Sequence, residues 1–300
     1  MKQLKNTLAA RHVDDIDDHR LSPTVMSDRD FSRLSEFIQN ACGIRMPAAK
    51  KLMLEGRLRK RLRTLGMESF QEYCDYLFAP GGMQAEQVHM IDAVTTNKTD
   101  FFREPAHFDY LLQEVLPEMV NVHGLGVRTR LNLWSAGCST GEEPYTLAMV
   151  VSEFAGRYSR FGFSVLATDI STRVLEKSRR GIYEDDRVEP IPMAMRRKYL
   201  LKGKDKKKGL VRIAPELRSL VKFQRLNFMH DDFGIGDPMA VIFCRNVLIY
   251  FDKPTQERLL NRLCRYLIPG GYLFTGHSET LHGMSLPLEQ TATTVYRRQA

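Results

Sequence analysis

Fifteen residues near the middle of the chain, Leu131-Asn132-Leu133-Trp134-Ser135-Ala136-Gly137-Cys138-Ser139-Thr140-Gly141-Glu142-Glu143-Pro144-Tyr145, limit its architecture more than any other stretch. The first six alternate and carry Leu and Trp, as a short buried strand does. Gly137 and Gly141 let the backbone turn tightly and approach a ligand with no Cβ in the way. Glu142, Glu143 and Pro144 suit the first turn of a helix, where acidic side chains meet the helix dipole and proline sacrifices no hydrogen bond. Strand, glycine turn, helix is how an open α/β sheet begins a nucleotide-binding crevice.

Three kinds of site can be built on such a turn. A phosphate loop needs Gly-Lys-Ser/Thr at the helix start, where this chain has acids. A dinucleotide fingerprint needs G-x-G-x-x-G, and only two glycines at a wider spacing are present. Gly137-Cys138-Ser139-Thr140-Gly141 does fit G-x-S-x-G, and Asp169 and His277 follow in the hydrolase order. Against that reading, the turn tops the first strand of the sheet, and the acidic pair sets negative charge where an oxyanion would have to be stabilised.

The rest of the chain divides around this centre. Residues 1–22 are polar, with Asp14-Asp15-Ile16-Asp17-Asp18 and no apolar signal core, and read as a disordered tail. Residues 23–95 carry helical patterns only. Ser27 caps the first helix, Phe31, Leu34, Phe37, Ile38 and Ala41 form its stripe, and Gly43 ends it. The second helix, about 48–65, shows Lys50, Lys51, Arg57, Arg59, Lys60, Arg61 and Arg63 against Glu55 alone. Seven cations to one anion is either a solvated face or a docking surface for acidic protein. Helices over 69–77 and 84–95 follow.

Residues 96–128 are expected as a linker plus an amphipathic helix over 107–122, and 129–300 as strands alternating with helices. Strands are expected at 131–136, 163–168, 221–226, 240–244, 272–275 and 294–297, with helices at 144–155, 171–179 and 253–267. The fold class is therefore α/β, a doubly wound sheet with a small N-terminal all-helical domain. About forty residues between 179 and 221 are too many for a plain connection. A hairpin of 198–201 with 210–213 makes them an inserted β-subdomain, about 183–220.

The five cysteines are scattered, with no C-x-x-C, so neither a disulfide framework nor a zinc site is indicated, and reduced cytoplasm is the expected location. No apolar run is long enough to span a bilayer. The net charge of +8 implies an acidic partner. Asp169, at the end of the second strand, is placed to accept hydrogen bonds from ribose hydroxyls, and Glu142 or Glu143 to accept from an ammonium. The turn offers a phosphate no cation. S-adenosylmethionine, a nucleoside that bears an ammonium and no phosphate, has the matching character.

Thr96-Asn97-Lys98-Thr99-Asp100-Phe101-Phe102-Arg103-Glu104, the 135–145 stretch, Ala167-Thr168-Asp169-Ile170, Phe243-Cys244-Arg245-Asn246-Val247-Leu248-Ile249-Tyr250-Phe251-Asp252 and Gly276-His277-Ser278-Glu279 together resemble the CheR-type chemotaxis receptor methyltransferases, in order over about 27–298. The resemblance implies an S-adenosylmethionine-binding domain and methyl esterification of glutamate side chains on methyl-accepting chemotaxis receptors, with S-adenosylhomocysteine as product. It implies that Asn97, Thr99, Arg103, one or both of Glu142 and Glu143, Asp169, Asn227 with Phe228, and Arg245 with Asn246 contact the cofactor, and that Arg103 and Tyr250 lie nearest the transferred methyl. In relatives that grip a receptor's C-terminal pentapeptide the β-subdomain loop carries Gly-x-Gly; this chain has Gly203-Lys204-Asp205 there. The expected partners are receptors, through acidic cytoplasmic helices, for a monomeric enzyme with no membrane insertion. Nucleic acid is not among them, because amino-group methylators of bases usually carry Asn/Asp-Pro-Pro-Tyr/Phe after strand four, where this chain has Arg245-Asn246-Val247-Leu248-Ile249-Tyr250. The basic second helix is expected outside the cofactor crevice.

Overall fold

A computed structural model describes residues 25–203 and 209–299; the tail expected at 1–22 and most of the Lys-rich loop, 204–208, lie outside the described residues. Four helices open the chain: α1 (Asp28–Cys42), α2 (Lys51–Leu65), α3 (Phe70–Phe78) and α4 (Gly82–Val94). The Ser27 hydroxyl accepts from the Asp30 amide at 3.0 Å, and Gly43 ends α1 with φ +74. Leu34, Ile38, Leu54, Leu58, Tyr73, Leu77 and Met90 close a core of their own.

A second helical run, α5 (Ala106–Tyr110) and α6 (Leu116–Asn121), is joined by a π turn over Leu111–Val115. Apolar spacing predicts one regular helix here. Pro117 explains the difference, since it has no N–H to give the carbonyl four residues back, and its ring needs room there.

The sheet strands are β1 (Leu131–Ala136), β2 (Phe163–Asp169), β6 (Val221–Arg225), β7 (Met239–Cys244), β8 (Leu267–Thr275), β9 (Leu288–Ala292) and β10 (Val295–Arg298). Their spatial order is β6-β2-β1-β7-β8-β10-β9. The pairs from β6 to β8 are parallel, and β10 runs antiparallel to both neighbours. α7 (Glu142–Ala155) packs on one face with α5 and α6, and α11 (Lys253–Tyr266) on the other. Trp134 is fully buried on the α11 side, its indole N–H donating to Thr168 Oγ1 at 2.9 Å. Every residue of β7 is buried, as a central parallel strand requires.

Between α8 (Thr172–Arg180) and β6 lies a three-stranded sheet of β3 (Ile182–Glu184), β4 (Leu200–Lys202) and β5 (Leu210–Ile213), with α9 (Met193–Tyr199) and α10 (Pro215–Arg218). Leu200 pairs with Ile213 as the expected hairpin requires, but Lys198 and Tyr199 belong to α9 rather than to the strand. β8 begins at Leu267, ahead of the strand expected at 272–275, because Pro269-Gly270-Gly271 forms a bulge inside it: Met239 pairs with Leu267, and Val241 already with Tyr272. Gly270 takes φ +77 within it.

Candidate functional site

The C-terminal ends of β1, β2 and β7 open on a cavity of about 400 Å³. Its far wall belongs to the N-terminal helical unit, where Cys42, Ile44, Met46, Met53 and Arg57 face Asp169, Asn227 and Tyr250. Of the predicted site residues, Asn97, Thr99, Arg103, Glu143, Asp169, Asn227, Phe228, Arg245, Asn246 and Tyr250 all line it. Glu142 does not: it turns away beneath the glycine turn, where its carboxylate accepts from Thr140 Oγ1 at 2.6 Å and from Arg187 at 3.2 Å.

Gly137 passes close under the cavity with φ +91, and a Cβ there would lie 2.5 Å from Val247 Cγ2. Two carboxylates reach the cavity, Asp169 from the end of β2 and Glu143 from the first turn of α7. Asp169 Oδ2 accepts from Ser139 N at 2.8 Å and Oδ1 from Ser171 N at 2.9 Å. Burial pushes its pKa up, against the pull of these amides. Glu143 accepts from Ser135 Oγ at 2.7 Å and faces Arg245 Nη1 at 3.6 Å. Burial raises its pKa too, and Arg245 opposes the rise.

Arg245 is buried between Glu104, 3.2 Å from Nη2, and Glu143, and it donates to the carbonyl of Arg103. Its Nε and Nη1 have no hydrogen-bond acceptor among the described residues. Buried donors without acceptors are open to a ligand's oxygen atoms or to water. Arg103 forms no ion pair with Glu104, whose partner is Arg245; its Nη1 donates to Lys98 O at 3.1 Å. Tyr250 ends a short 3-10 turn, and burial pushes its phenol further above the ordinary range, so it remains a neutral donor. Asn227 also spans the two units, donating from Nδ2 to Ala41 O at 2.7 Å.

The hydrolase arrangement is not assembled. Ser139 Oγ donates to Asn97 O at 2.9 Å, while His277 lies beside Glu104 and His107, away from Asp169's partners. Four of the five non-glycine residues with positive φ among those described, Phe102, Glu104, Ser139 and Asn246, fall in the segments that frame the cavity. Such strain is held where surrounding contacts over-determine the backbone, commonly at functional sites.

Besides the apolar wall of Cys42, Ile44, Met46 and Met53, sequence reasoning missed Arg57, Glu279 and Ile249. Arg57 projects from α2 into the cavity and donates to Val94 O and to Thr96 Oγ1 at 2.6 Å, so α2 is not outside the crevice as expected. Its position in a run of cations concealed this. Glu279 accepts from Gly276 N at 2.6 Å, Asn246 N at 2.8 Å and Ile249 N at 3.3 Å, and so fixes the turn after β7. Ile249, half exposed, forms part of the rim.

The arrangement suits a ligand with hydroxyls for Asp169, a cation for Glu143 and an anion for Arg245, which together describe an amino-acid-bearing nucleoside such as S-adenosylmethionine. Comparison with known proteins agrees. Residues 97–297 match the CheR methyltransferase SAM binding domain and residues 29–95 the CheR methyltransferase all-alpha domain. A chemotaxis protein methyltransferase of Borreliella burgdorferi is 40% identical over 85% of this chain and 89% of its own length. One from Klebsiella aerogenes is 40% identical over 90% of each chain. Chemotaxis protein methyltransferase 2 of Pseudomonas aeruginosa is 39% identical over 89% of this chain and 92% of its own. The helical unit and the sheet domain are thus both matched, over nearly the whole chain, which belongs to the CheR methyltransferase family.

Proposed function

We propose that this enzyme methylates glutamate side-chain carboxylates of chemotaxis receptors, using S-adenosylmethionine held in the shared cavity, and yields glutamate 5-O-methyl esters and S-adenosylhomocysteine. The observation that carries the reading is a pair of carboxylates, the buried Asp169 and the partly buried Glu143, that line with Arg245 a cavity without a phosphate loop. In this reading Asp169 accepts from the ribose, Glu143 from the ammonium, and Arg245 donates to the amino-acid carboxylate. Asn97, Thr99, Asn227, Phe228 and Asn246 complete the walls.

The bound cofactor supplies a methyl group on a sulfonium that is its own leaving-group activation. The chain needs no general base, because a glutamate with a pKa of about 4.3 is already ionised at neutral pH. Arg103 steers that carboxylate and Tyr250 donates to it, and the cavity walls exclude water. Holding the reacting atoms in line can supply about 7–11 kcal/mol.

The receptor side of the reading rests on α2. Arg61 is committed to Glu86 at 2.6 Å and 2.7 Å, Arg57 to the cavity wall, Lys51 to Asp28 at 2.7 Å, and Arg59 leans on Glu55 at 3.4 Å. Lys60 and Arg63 are exposed and make no ion pair with the described residues. These two, with Arg59, are the cations that would meet acidic receptor helices. We take the enzyme to act as a monomer in the cytoplasm; among the described residues no helix is long and apolar enough to cross a membrane.

Calorimetric titration with S-adenosylhomocysteine, with methyl incorporation into receptor-containing membranes, tests the reading. Micromolar binding, weakened by about 2–3 kcal/mol in Asp169→Ala through loss of hydrogen bonds to a charged group, is expected. Absence of binding, or receptor glutamates left unmodified, would overturn it.

A further inference from the structure

The segment that brings Asn97 and Thr99 to the cavity, residues 95–100, belongs to no helix or strand. Backbone outside a ladder keeps its place only through the groups that bond to it. Ser139 Oγ holds Asn97 O from the glycine turn, and Arg103 reaches back to Lys98 O. The remaining grips come from outside the sheet. Arg57 of α2 holds Val94 and Thr96. Arg187, in the 3-10 turn Asp186–Val188 of the inserted β-subdomain, holds the other end.

Arg187 makes three bonds there. Nη1 donates to Asp100 Oδ1 at 2.9 Å, and Nη2 to Thr99 O at 2.6 Å and to Glu142 Oε1 at 3.2 Å. Glu142 has no exposed surface, and Arg187 is the one cation within ion-pair distance among the described residues. The first acid of the glycine-turn motif, which the cavity does not use, is thus the anchor of this guanidinium. One planar fork joins three elements: the cavity segment, the first turn of α7 and the subdomain. A lysine point charge cannot reproduce that geometry.

We propose that Arg187 is a positioning residue for the cofactor: the β-subdomain sets cofactor affinity by fixing Thr99 and Asp100 against Glu142. The inference rests on reading the cavity as the cofactor's. Without Arg187 the segment must be ordered by the ligand on binding, a cost that falls on affinity and not on methyl transfer once the site is full. Apparent KM for S-adenosylmethionine and Kd for S-adenosylhomocysteine should therefore rise together, with kcat at saturation little changed.

The variants are Arg187→Ala, Arg187→Lys and, as a control in the same subdomain, Arg196→Ala, which breaks only the exposed pair with Asp185 at 3.3 Å. S-adenosylhomocysteine affinity by calorimetry, KM and kcat, and melting temperature are measured on all three and on the wild type. The expected result is a rise of about tenfold in Kd and KM for Arg187→Ala, a smaller rise for Arg187→Lys, and wild-type values for Arg196→Ala. Should the alanine variant not fold, the lysine variant alone decides, by raised or unchanged Kd. Unchanged Kd and KM in a folded Arg187 variant, or an equal loss in Arg196→Ala, would overturn the proposal. Failure of the wild type to bind S-adenosylhomocysteine would instead remove the cofactor reading itself, and this one with it.

Discussion

The backbone nitrogen of Arg45 donates to the carbonyl of Tyr250 at 2.9 Å, so the loop after α1 and the turn after β7 are stitched together directly beside the cavity. This bond leaves the Tyr250 side chain as the variable part of that turn, and the phenol faces the cavity as a neutral donor. Tyr250→Phe should keep the fold and the affinity for S-adenosylhomocysteine while lowering kcat by about ten- to hundredfold, the worth of one hydrogen bond to a charged group. Equal kcat in the two proteins would leave Tyr250 as a wall of the cavity only.

Ser139 sits where a hydrolase would hold its nucleophile, yet its hydroxyl is spent on Asn97 O. Ser139→Ala should therefore retain methyl transfer, with cofactor affinity reduced by about 1 kcal/mol for the lost bond. A dead enzyme with intact cofactor affinity would assign the hydroxyl a direct chemical role.

The unpaired cations of α2 give a salt-dependent expectation. With a Debye length of about 8 Å at physiological ionic strength, docking of acidic receptor helices on Lys60 and Arg63 should weaken as salt rises. Reversing both to Glu should raise KM for receptor and flatten its salt slope, with S-adenosylmethionine affinity unchanged. Arg61→Glu makes a poor probe of docking, because it also leaves Glu86 buried beside a second carboxylate. Identical KM values and salt slopes for the double reversal and the wild type would return α2 to a solvated face.

His107 supplies a pH dependence of stability. It is buried, and desolvation together with the Arg245 cation lowers its pKa from 6.5 to about 4. The fold thus holds it neutral, whereas the unfolded chain takes up a proton below 6.5. Its contribution is fully present above that pH and is lost as pH falls from 6.5 towards 4. His107 Nε2 lies 2.8 Å from Thr294 Oγ1, and in His107→Gln, whose amide can bond that hydroxyl in either sense, the drop in melting temperature across this window should be smaller than in the wild type. A drop of the same size would mean that other groups govern the acid limb.

The parts legible in the sequence were those with strong local signals. Ser27 and Gly43 bracket α1, the glycine turn heads α7, and the short strands expected at 131–136 and 163–168 are interior parallel strands, whose burial leaves little room for polar residues. β9 escaped because Leu288–Ala292 is an edge strand with little buried surface, so no alternation is imposed on it. β3 escaped because it is three residues long and is defined by its pairing with β5. Among the site residues, Glu142 and Glu143 are neighbours of one type, and only the helix phase decides which meets the cavity and which meets Arg187. Arg57 was invisible for a similar reason, since a run of cations does not say which of them turns inward.

Asn227 reaches across to Ala41, and Cys42, Ile44 and Met46 stand opposite Asp169. The sheet domain therefore cannot close its own site. One wall is lent by helices that precede it in the chain, hold a separate core and make no bond of the sheet ladder. A ligand lodged between them acts as a mortise pin, and every motion that parts the two units must first expose it to water. Damage confined to the loop after α1, which ties Arg45 to Tyr250 and leaves the core residues Leu34 and Ile38 in place, would then surface as a leaking site.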